Sequence, residues 1–514
     1  MPETEIGGGT SSSLTDAIGI GTLTRLIPRE LVDEVVGSLG RKELRKNKLP
    51  ARVMVYFVMA MSLFYGDGYE EVMRKLTAGL QYLGTWRRDW RMPSPGGLCQ
   101  ARQRLGAEVM RELFERVAAP CALRSTRGAW LAGRRLMAVD GFGMEAPDSE
   151  ENAAYFGYAG KKERCSFPYV QMAALAECGT HAIVAAAIGQ KGEGEETLTT
   201  RILSGGAVEA GMMVTLDAGL YSYQNLRAVI DAGADALFRA GSNVGLPVLG
   251  WLPDGSYLSF AADPDAKRLN SCRLRKGLVK ITDLPGIPVR VVDYEIPDRG
   301  DGDEIFTLVT NITDPGDVTA AEMAAAYHER WEAGLVFDEL KTHQRGSGVI
   351  LRSRKPELVR QEIWGLLLTH YGIRHLMREA ADQAELDPDR ISFIRTLRVI
   401  RRQVDGAAPV SPRGRFQADT VLIAYGADVK TLRARLRHAS AKDHAGHVQS
   451  PVVHEGHCGG RLQEPDGTEP EPVGCPMIPA LVSRYFLVSS RSTSRTRAGA
   501  GGAAAGRSRG SACS

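Results

Sequence analysis

Apolar residues in the first part of the chain recur with the spacing of an α-helix. Pro28 opens one such stretch and Pro50 another, and the second carries an apolar face formed by Val53, Val55, Tyr56, Met59, Ala60 and Leu63. A turn, a helix and a Gly stop follow over residues 94–106, and a further helix over 108–117. The spacing predicts an all-helical N-terminal domain over residues 14–122.

The pattern changes after residue 130 to short apolar runs with the length of buried strands. They lie at residues 136–139, 170–176, 182–188, 212–216 and 236–239. Helical segments at 195–203 and 224–232 separate some of them. Strands mixed with helices indicate an α/β catalytic domain whose first part covers residues 130–242.

Helical spacing nearly disappears between residues 243 and 315, where we predict a β-rich insertion. Alternating or β-branched runs are separated there by Gly, Pro and Asp turns, and they lie at residues 257–260, 279–282, 289–292 and 306–310. Helical spacing then returns at residues 320–341, 357–380 and 388–404. The second part of the catalytic domain is therefore predicted over residues 316–405.

The two ends of the chain lack the spacing of a packed core. Residues 1–13 are rich in Gly, Ser and Thr and are predicted to be disordered, as is the low-complexity tail over 416–514. The stray His, Cys and Gly residues of this tail are typical of an out-of-frame translation. The spacing of His454, His457 and Cys458 matches no standard metal site.

Composition narrows the class of protein. At 514 residues the chain is too long for one ordinary hydrophobic core, and its 43% hydrophobic and 24% charged residues are those of a soluble globular protein. The net charge of +3 indicates no nucleic-acid partner by itself, so any DNA site must lie in local basic clusters. We see no transmembrane or secretory segment, and eight scattered cysteines without a CxxC pair favour a reducing cytoplasm.

Two aspartates follow apolar runs that read as strands. Asp140 comes directly after residues 136–139, and Asp217 directly after residues 212–216. The ends of strands are where an α/β sheet presents catalytic groups, and two carboxylates held together repel unless a cation lies between them. The pair therefore predicts a divalent metal site, with the turn role that a strand-terminal Asp commonly has as the alternative.

One face of the predicted helix 320–341 carries residues at helical spacing. Tyr327, Arg330, Gly334 and Lys341 fall within roughly a 60° stripe of that face. The stripe is either a solvated helix face or a phosphate-binding edge on which Arg330 and Lys341 hold DNA backbone oxygens.

These residues carry a resemblance to a known family. Residues 327–341 resemble the Y-x2-R-x3-E-x6-K signature of the insertion-sequence-4 family of bacterial cut-and-paste transposases. The order of first acid, second acid, β-rich insertion and signature helix agrees with that family. The helical head also looks like the family's N-terminal region at residues 48–52 and 98–105.

The resemblance implies a ribonuclease-H-like catalytic domain that binds insertion-sequence ends and target DNA, acting as a homodimer in a synaptic complex. Its three acids hold two divalent ions, Mg²⁺ or Mn²⁺, which clamp the attacking and leaving oxygens of a phosphodiester. By match, Asp140 and Asp217 are metal ligands and position 334 is the third catalytic position. Tyr327, Arg330 and Lys341 would then bind the transposon-end strand.

Gly334 departs from the family pattern, because it has no side chain with which to bind a metal. Glycine inside a helix also costs about 1 kcal/mol relative to alanine. Glu332 and Glu339 point about 200° and 140° away from position 334, whereas Asp338 faces the same side about 6 Å further along the axis. Asp338 is the available surrogate, and we predict weak binding of the second metal and severely reduced strand cleavage.

Three functions stay open: an active transposase, a catalytically dead DNA-binding remnant of one, and a metal-dependent nuclease of the same fold. A basic cluster in the helical head is predicted to contact DNA, with a solvated helix face as the alternative. It consists of Arg41, Lys42, Arg45, Lys46, Lys48 and Arg52. In related enzymes an aromatic residue of the insertion holds a flipped base. Trp251 is the tryptophan available for this, although ordinary burial habits favour a core or turn role.

Overall fold

The computed structural model describes residues 20–42, 49–78, 91–160, 166–295, 305–329, 331–346 and 348–405. Within these residues the chain has a mixed α/β architecture, in which a ten-stranded sheet is combined with helices. No helix among them is both long enough and apolar enough to span a membrane. The predicted segments 1–13 and 416–514 lie outside the described residues.

The described N-terminal residues form helices whose ends follow local sequence signals. These are α1 (Leu23–Leu26), α2 (Arg29–Ser38), α3 (Ala51–Leu63), α4 (Tyr69–Ala78), α5 (Pro95–Leu105) and α6 (Ala107–Val117). Pro28 and Pro50 are the N-caps of α2 and α3, as predicted. Ser94 caps α5 by accepting a hydrogen bond from the Gly97 N–H (3.2 Å), and Gly106 ends α5 at a φ of +77°, which favours glycine.

A continuous sheet runs through the centre of the molecule. Its strands are β1 (Trp130–Leu131), β2 (Arg134–Glu145), β3 (Tyr169–Glu177), β4 (Ile183–Ile188), β5 (Met212–Leu216), β6 (Asp235–Ala240), β7 (Gly250–Trp251), β8 (Tyr257–Ala262), β9 (Gly286–Glu295) and β10 (Ile305–Thr310). The strand order is β4-β3-β2-β5-β6-β10-β9-β8-β7, and β1 pairs with β2 outside this order. The pairs β2–β5 and β5–β6 are parallel, and the other pairs are antiparallel.

Short helices connect several of these strands. They are α7 (Glu150–Phe156), α8 (Glu195–Leu203), α9 (Tyr223–Asp231), α10 (Pro264–Leu269) and α11 (Ser271–Arg275). The positions of α8 and α9 agree with the helices predicted at 195–203 and 224–232. α8 packs against β3, β4 and β2, and α9 packs against β6, so helices cover the sheet as expected for an α/β domain.

The β-rich segment predicted over 243–315 is a continuation of the central sheet. β10 pairs with β6, with Thr310 opposite Leu237, and β9 and β8 extend the sheet beyond β10. The near absence of helix predicted for this segment is wrong, because α10 and α11 lie within it. The strand predicted at 279–282 is also wrong: a 3-10 turn forms there, and Asp283 closes it by accepting a hydrogen bond from the Lys280 N–H (2.8 Å).

Further helical segments follow the sheet along the chain. They are α12 (Ala320–Glu329), α13 (Trp331–Asp338), a π-helical segment (Glu339–Gln344), α14 (Pro356–Gln383), a 3-10 turn (Pro388–Arg390) and α15 (Phe393–Asp405). α14 is buried along most of its length and packs against α3 and α6. α13, the π-helical segment, α14 and α15 share one hydrophobic cluster with the N-terminal helices and with Phe142 and Met144 of β2, whereas α12 belongs to a separate cluster. The predicted N-terminal domain therefore has no core separate from the catalytic part.

A buried arginine ties the N-terminal helices to α14. The Arg102 guanidinium is fully buried and donates to Gln361 Oε1 (2.9 Å), Ser353 Oγ (3.2 Å) and the Leu358 carbonyl (3.1 Å). A buried guanidinium without these acceptors would carry a large desolvation penalty, so Arg102 fixes the register of α5 against α14.

Candidate active site

Asp140 and Asp217 stand side by side on neighbouring parallel strands. The last residue pair of β2 and β5 is Ala138 opposite Thr215. Each aspartate lies two residues beyond that pair, so the same register brings both to the edge where the parallel pairing stops. The two aspartates predicted from the sequence are therefore brought together by the sheet.

Asp140 lies inside β2, which corrects the expectation that it ends a strand. β2 continues past it because the other edge of the strand stays paired with β3, where Asp140 is opposite Ala174 and Glu145 is opposite Tyr169. The parallel neighbour β5 ends earlier, at Leu216. One side of β2 is thus open beside Asp140 while the other side holds the backbone in place.

Backbone amide groups hold the two carboxylates. Asp140 Oδ1 accepts a hydrogen bond from the Gly141 N–H (2.8 Å). Asp217 Oδ1 accepts from the N–H groups of Gly219 (3.0 Å) and Leu220 (3.1 Å). Asp217 therefore closes the turn after β5. It has the turn role given as the alternative in the sequence analysis, and it also lies beside Asp140.

Glu195 joins this pair and was missed by the sequence interpretation. A Cβ added to Gly141 would lie 2.0 Å from Glu195 Cδ, so the carboxyl of Glu195 fills the space that a side chain at position 141 would need. Burial raises the pKa of the Glu195 carboxyl, and the charges of Asp140 and Asp217 raise it further, whereas the Gly141 backbone and Lys341 lower it. An acid in the first turn of a helix is common, so no local signal could have marked Glu195.

Lys341 of the signature segment faces the same acids. Its Nζ lies 5.5 Å from the centre of the Phe142 ring, two residues along β2 from Asp140. Burial, followed by the charge of Arg345, lowers the pKa of Lys341, whereas Asp140, Asp338 and Glu195 act to raise it. The structure thus brings the predicted DNA-binding lysine next to the predicted metal ligands.

A stacked aromatic pair seats the signature helix on β2. The rings of Phe337 and Phe142 are parallel to within 23°, with their centres 4.3 Å apart. Both side chains belong to the large hydrophobic cluster that includes α14. This contact holds α13 over the part of β2 that carries Asp140.

Glu339 anchors the π-helical segment from behind. Its carboxylate is buried and pairs with Arg374, whose Nε donates to it at 2.8 Å, and it contacts His370 Nε2 at 3.2 Å. Although burial opposes ionisation, Arg374 and His370 hold the pKa of Glu339 below its usual value. As the helical geometry predicts, Glu339 points away from the side of the helix that carries position 334.

The start of the signature helix is held by a second buried arginine. Asp254 Oδ2 accepts a hydrogen bond from the Ala320 N–H (2.8 Å) at the beginning of α12 and is paired with Arg290. The fully buried Arg290 also donates to Ser256 Oγ (2.8 Å) and the Val318 carbonyl (2.7 Å). The β-rich segment therefore positions the helix that completes the site.

Tyr327 is fully buried, which does not suit the direct DNA contact predicted for it. Its ring belongs to a hydrophobic cluster with Leu237 and Phe306, and its hydroxyl donates to the carbonyl of Leu216 (3.4 Å). Leu216 immediately precedes Asp217. The contact indicates that Tyr327 supports the end of β5. DNA cannot reach a ring that has no exposed surface.

Position 334 is open to solvent. Gly334 is exposed, and a Cβ added to it would have no heavy atom within 4 Å beyond its own helix. The proposed surrogate Asp338 is exposed too, and its carboxylate contacts Thr342 Oγ1 (2.5 Å) and His343 Nε2 (3.5 Å) of its own helical segment. Within the described part of the chain, no three His, Cys, Asp or Glu side chains converge closely enough to form a ready-made metal site.

Several predicted DNA-binding residues lie outside the described residues: Arg330, Arg45, Lys46 and Lys48. Arg52 is described, and it pairs with Asp33 of α2, with Nε donating to Oδ1 at 2.7 Å. This pairing links α3 to α2, so Arg52 also has a structural role.

Trp251 is 71% exposed, which excludes the core position expected for it but not the turn role that was also expected. It lies on the short edge strand β7, and its ring centre is 5.3 Å from that of Tyr257 in an edge-on contact.

A stripe of arginines on α15 was also missed. Arg395, Arg398 and Arg402 are exposed, and at about 100° per residue they share one face of the helix. Arg401 on the other side donates to the carbonyls of Leu63 and Gln344 (3.4 Å to the latter), which places α15 beside the π-helical segment. The spacing was visible in the sequence, but the contact of α15 with the π-helical segment was not.

Two family models match this chain: "Insertion element 4 transposase N-terminal" over residues 17–115, and "Transposase DDE domain" over residues 131–371. The second match contains Asp140, Asp217 and Gly334. The chain is similar to the transposase InsG for insertion sequence element IS4 of Escherichia coli strain K12, with 28% identity over 390 residues, 74% of this chain and 82% of that protein.

Similarity to two further proteins is weaker. The putative transposase InsZ of the same strain is 25% identical over 272 residues, which cover 50% of this chain and 83% of that protein. A cryo-EM structure of a piggyBac transposase synaptic complex with hairpin DNA aligns over 78% of this chain and 84% of that chain, at 11% identity and a TM-score of 0.41. A TM-score this low carries no argument about function.

Proposed function

Since this chain belongs to the insertion element 4 family of DDE transposases, we propose that it cleaves DNA at insertion-sequence ends and joins the freed 3′ ends to target DNA. The observation that carries this proposal is the pair Asp140 and Asp217, placed side by side where the pairing of β2 and β5 stops. The sheet with an acid on each of two parallel neighbours, and the signature helix packed on one of them, also supports a ribonuclease-H-like catalytic domain.

The donor set at this edge suits Mg²⁺ or Mn²⁺. Asp140, Asp217 and Glu195 offer only carboxylate oxygens, which are the ligands that hard divalent cations prefer. A bound ion would stabilise negative charge on the attacking and leaving oxygens of the phosphodiester. Asp140 and Asp217 are the proposed ligands from the family signature.

Lys341 and the arginine stripe of α15 suit the phosphate backbone of the bound DNA. Lys341 lies near Asp140 and Glu195, and α15 contacts the π-helical segment that carries Lys341. Together with Arg330 and the basic cluster that includes Arg52, they form the proposed path of the transposon end. A homodimer that bridges two ends is proposed with it.

Removing the arginine stripe tests this path. The variant Arg395→Ala, Arg398→Ala, Arg402→Ala should lower the slope of log affinity against log salt concentration by roughly 0.9 for each lost phosphate contact. Fluorescence anisotropy with a labelled duplex at several salt concentrations measures the slope. Arg227→Ala with Arg268→Ala is the matched control, because both arginines are exposed and paired with acids of their own helices. An equal change in both variants would contradict the proposed path.

The reaction itself is tested with a duplex that carries the inverted repeats flanking the gene. In Mn²⁺ the chain should nick this duplex, and Asp140→Asn or Asp217→Asn should reduce nicking to background. Transfer of the 3′ ends to a target plasmid distinguishes a transposase from a nuclease of the same fold. Nicking that both substitutions leave unchanged would show that these aspartates are not the metal ligands.

Position 334 favours a second candidate, a transposase relative that binds DNA but cleaves it poorly or not at all. Gly334 supplies no carboxylate, and its surroundings are open rather than filled by another acid. A mobility shift on the same duplex, without nicking at any Mn²⁺ concentration, would identify the chain as such a DNA-binding remnant.

A further inference from the structure

We propose that Glu195 supplies a third carboxylate to the metal site of this chain, in place of the one that position 334 lacks. This inference rests on the proposed metal-dependent function and adds a residue that the family signature does not contain.

The argument begins with Gly141. This residue follows Asp140 on β2, and the volume in front of its Cα is occupied by the Glu195 carboxyl, with Cδ 2.0 Å and Oε1 2.1 Å from where a Cβ would be. Any other residue at position 141 would displace that carboxyl. The absence of a side chain at Gly141 therefore lets Glu195 reach the strand backbone directly beside the first metal-binding aspartate.

Glu195 is held there by a rigid element. It lies in the first turn of α8, which packs against β2 and β3, and Leu198 and Ile202 bury the inner face of the helix. Thr200 on the same helix donates to Asn225 Oδ1 of α9 (2.7 Å), which ties α8 to the helix that follows Asp217. These contacts fix the backbone of Glu195 beside β2, so its carboxyl is the part of the residue that is able to move toward a cation at the two aspartates.

The neighbour Glu196 shows that helix position alone does not explain this placement. Both glutamates lie in the first turn of α8, where a negative charge stabilises a helix. Glu196 is exposed, whereas Glu195 lies across Gly141 and acts electrostatically on Asp140, Asp217 and Lys341. The two residues are therefore a natural pair of test and control.

The other candidate acids are occupied elsewhere. Asp338 is exposed and hydrogen-bonded along its own helix, and Glu339 is buried against Arg374 and His370. Asp338 lies on α13, which packs on β2 through Phe337, but its exposed carboxylate binds side chains of its own helical segment. Among the acids whose side chains the structure describes, Glu195 is the one that shares the edge of the sheet with Asp140 and Asp217.

Metal binding by the full chain tests the inference independently of its catalytic rate. Mn²⁺ is titrated into the wild-type chain, Glu195→Gln, Glu196→Gln and Asp140→Asn, each with a non-specific duplex present, and bound Mn²⁺ is read by electron paramagnetic resonance. Glu195→Gln should weaken Mn²⁺ binding by at least about tenfold, since even residues that only orient a metal ligand have effects of that size. Glu196→Gln should bind Mn²⁺ like the wild type.

A second variant separates ligation from misfolding. Adding Gly334→Glu to Glu195→Gln should restore Mn²⁺ binding, because a carboxylate then returns from the helix; a merely structural defect at Glu195 would not respond. Mn²⁺ binding that depends on Asp140 but not on Glu195 would overturn this inference while leaving the proposed function intact. Binding that depends on neither residue would overturn both.

Discussion

Glu339 is buried and Glu195 is half-buried, and their surroundings shift their pKa values in opposite directions. Burial disfavours the charge of Glu339, but the Arg374 guanidinium and His370 more than offset it, and the pKa of Glu339 lies below its usual value. Burial also raises the pKa of Glu195, and there the neighbouring carboxylates of Asp140 and Asp217 add to the effect. A buried acid with a matched cation holds a fold, whereas acids gathered beside one another retain a repulsion that a bound cation relieves.

The largest effect is expected when the buried cluster of Glu339, Arg374 and His370 is broken. Glu339→Gln leaves the buried Arg374 without its anion and should lower the free energy of unfolding by roughly 3–5 kcal/mol. Urea denaturation of both proteins measures the difference. Asp338→Asn is the matched control: its side chain is exposed, and it should change stability by no more than about 0.5 kcal/mol. An equal loss of unfolding free energy in the two variants would show that the ion pair of Glu339 does not stabilise the fold.

A smaller effect is expected at Gly334, on the open side of the acidic cluster. Gly334→Glu should raise Mn²⁺-dependent nicking by at least about tenfold, because a carboxylate contributed by the helix strengthens metal binding at a site whose other ligands are present. The same change should raise the free energy of unfolding by up to about 1 kcal/mol, because glutamate favours the helix more than glycine does. The open space around position 334 accommodates the side chain. Greater stability without greater activity would indicate that this helix lies too far from the aspartates.

The smallest effect concerns the pH dependence of stability without metal. The pKa of Glu195 is raised in the folded protein, so protonation of this group favours folding. Its contribution to stability is greatest below the pKa of an unfolded glutamate and is lost as pH rises toward the folded value. Glu195→Gln lacks this titration, so its stability relative to the wild type should increase as pH rises through that range.

Thermal unfolding of both proteins in EDTA, from acid to neutral pH, measures the difference. The difference between the unfolding free energies of the two proteins is expected to change with pH. A constant difference would mean that the surroundings of Glu195 do not disfavour its charge. Glu339→Gln should show the opposite sign: its stability deficit should shrink as pH falls through the glutamate range, since the wild type then loses the ionised Glu339.

Much of the architecture could be predicted because its signals are local. Pro28, Pro50 and Ser94 start helices through backbone geometry and capping, and Gly106 ends one through its positive φ. Runs of apolar residues indicated β3, β4, β5 and β6. The length of β2 was underestimated, because its continuation past Asp140 depends on pairing with β3 rather than on its own composition.

Tyr327 shows where a sequence pattern was insufficient. It shares a helical stripe with Lys341, and the spacing suggested a common role on DNA. Strands of the sheet cover its part of the helix, so Tyr327 is buried and its hydroxyl contacts the Leu216 carbonyl, whereas Lys341 in the π-helical segment lies near Asp140 and Glu195. Helical spacing places residues on a face, but only the packed neighbours decide whether that face meets solvent.

The sequence by itself determined that Asp140 and Asp217 each come directly after a short apolar run, that Gly334 brings no carboxylate, and that the chain resembles a transposase family. These conclusions depend on residue identity and short-range spacing. The tertiary structure alone decided that Glu195 lies against Gly141, that Glu339 is neutralised by Arg374 and that the insertion extends the central sheet. Each of these contacts joins residues far apart in the chain, and the energies that select them come from burial and charge pairing that no local window contains.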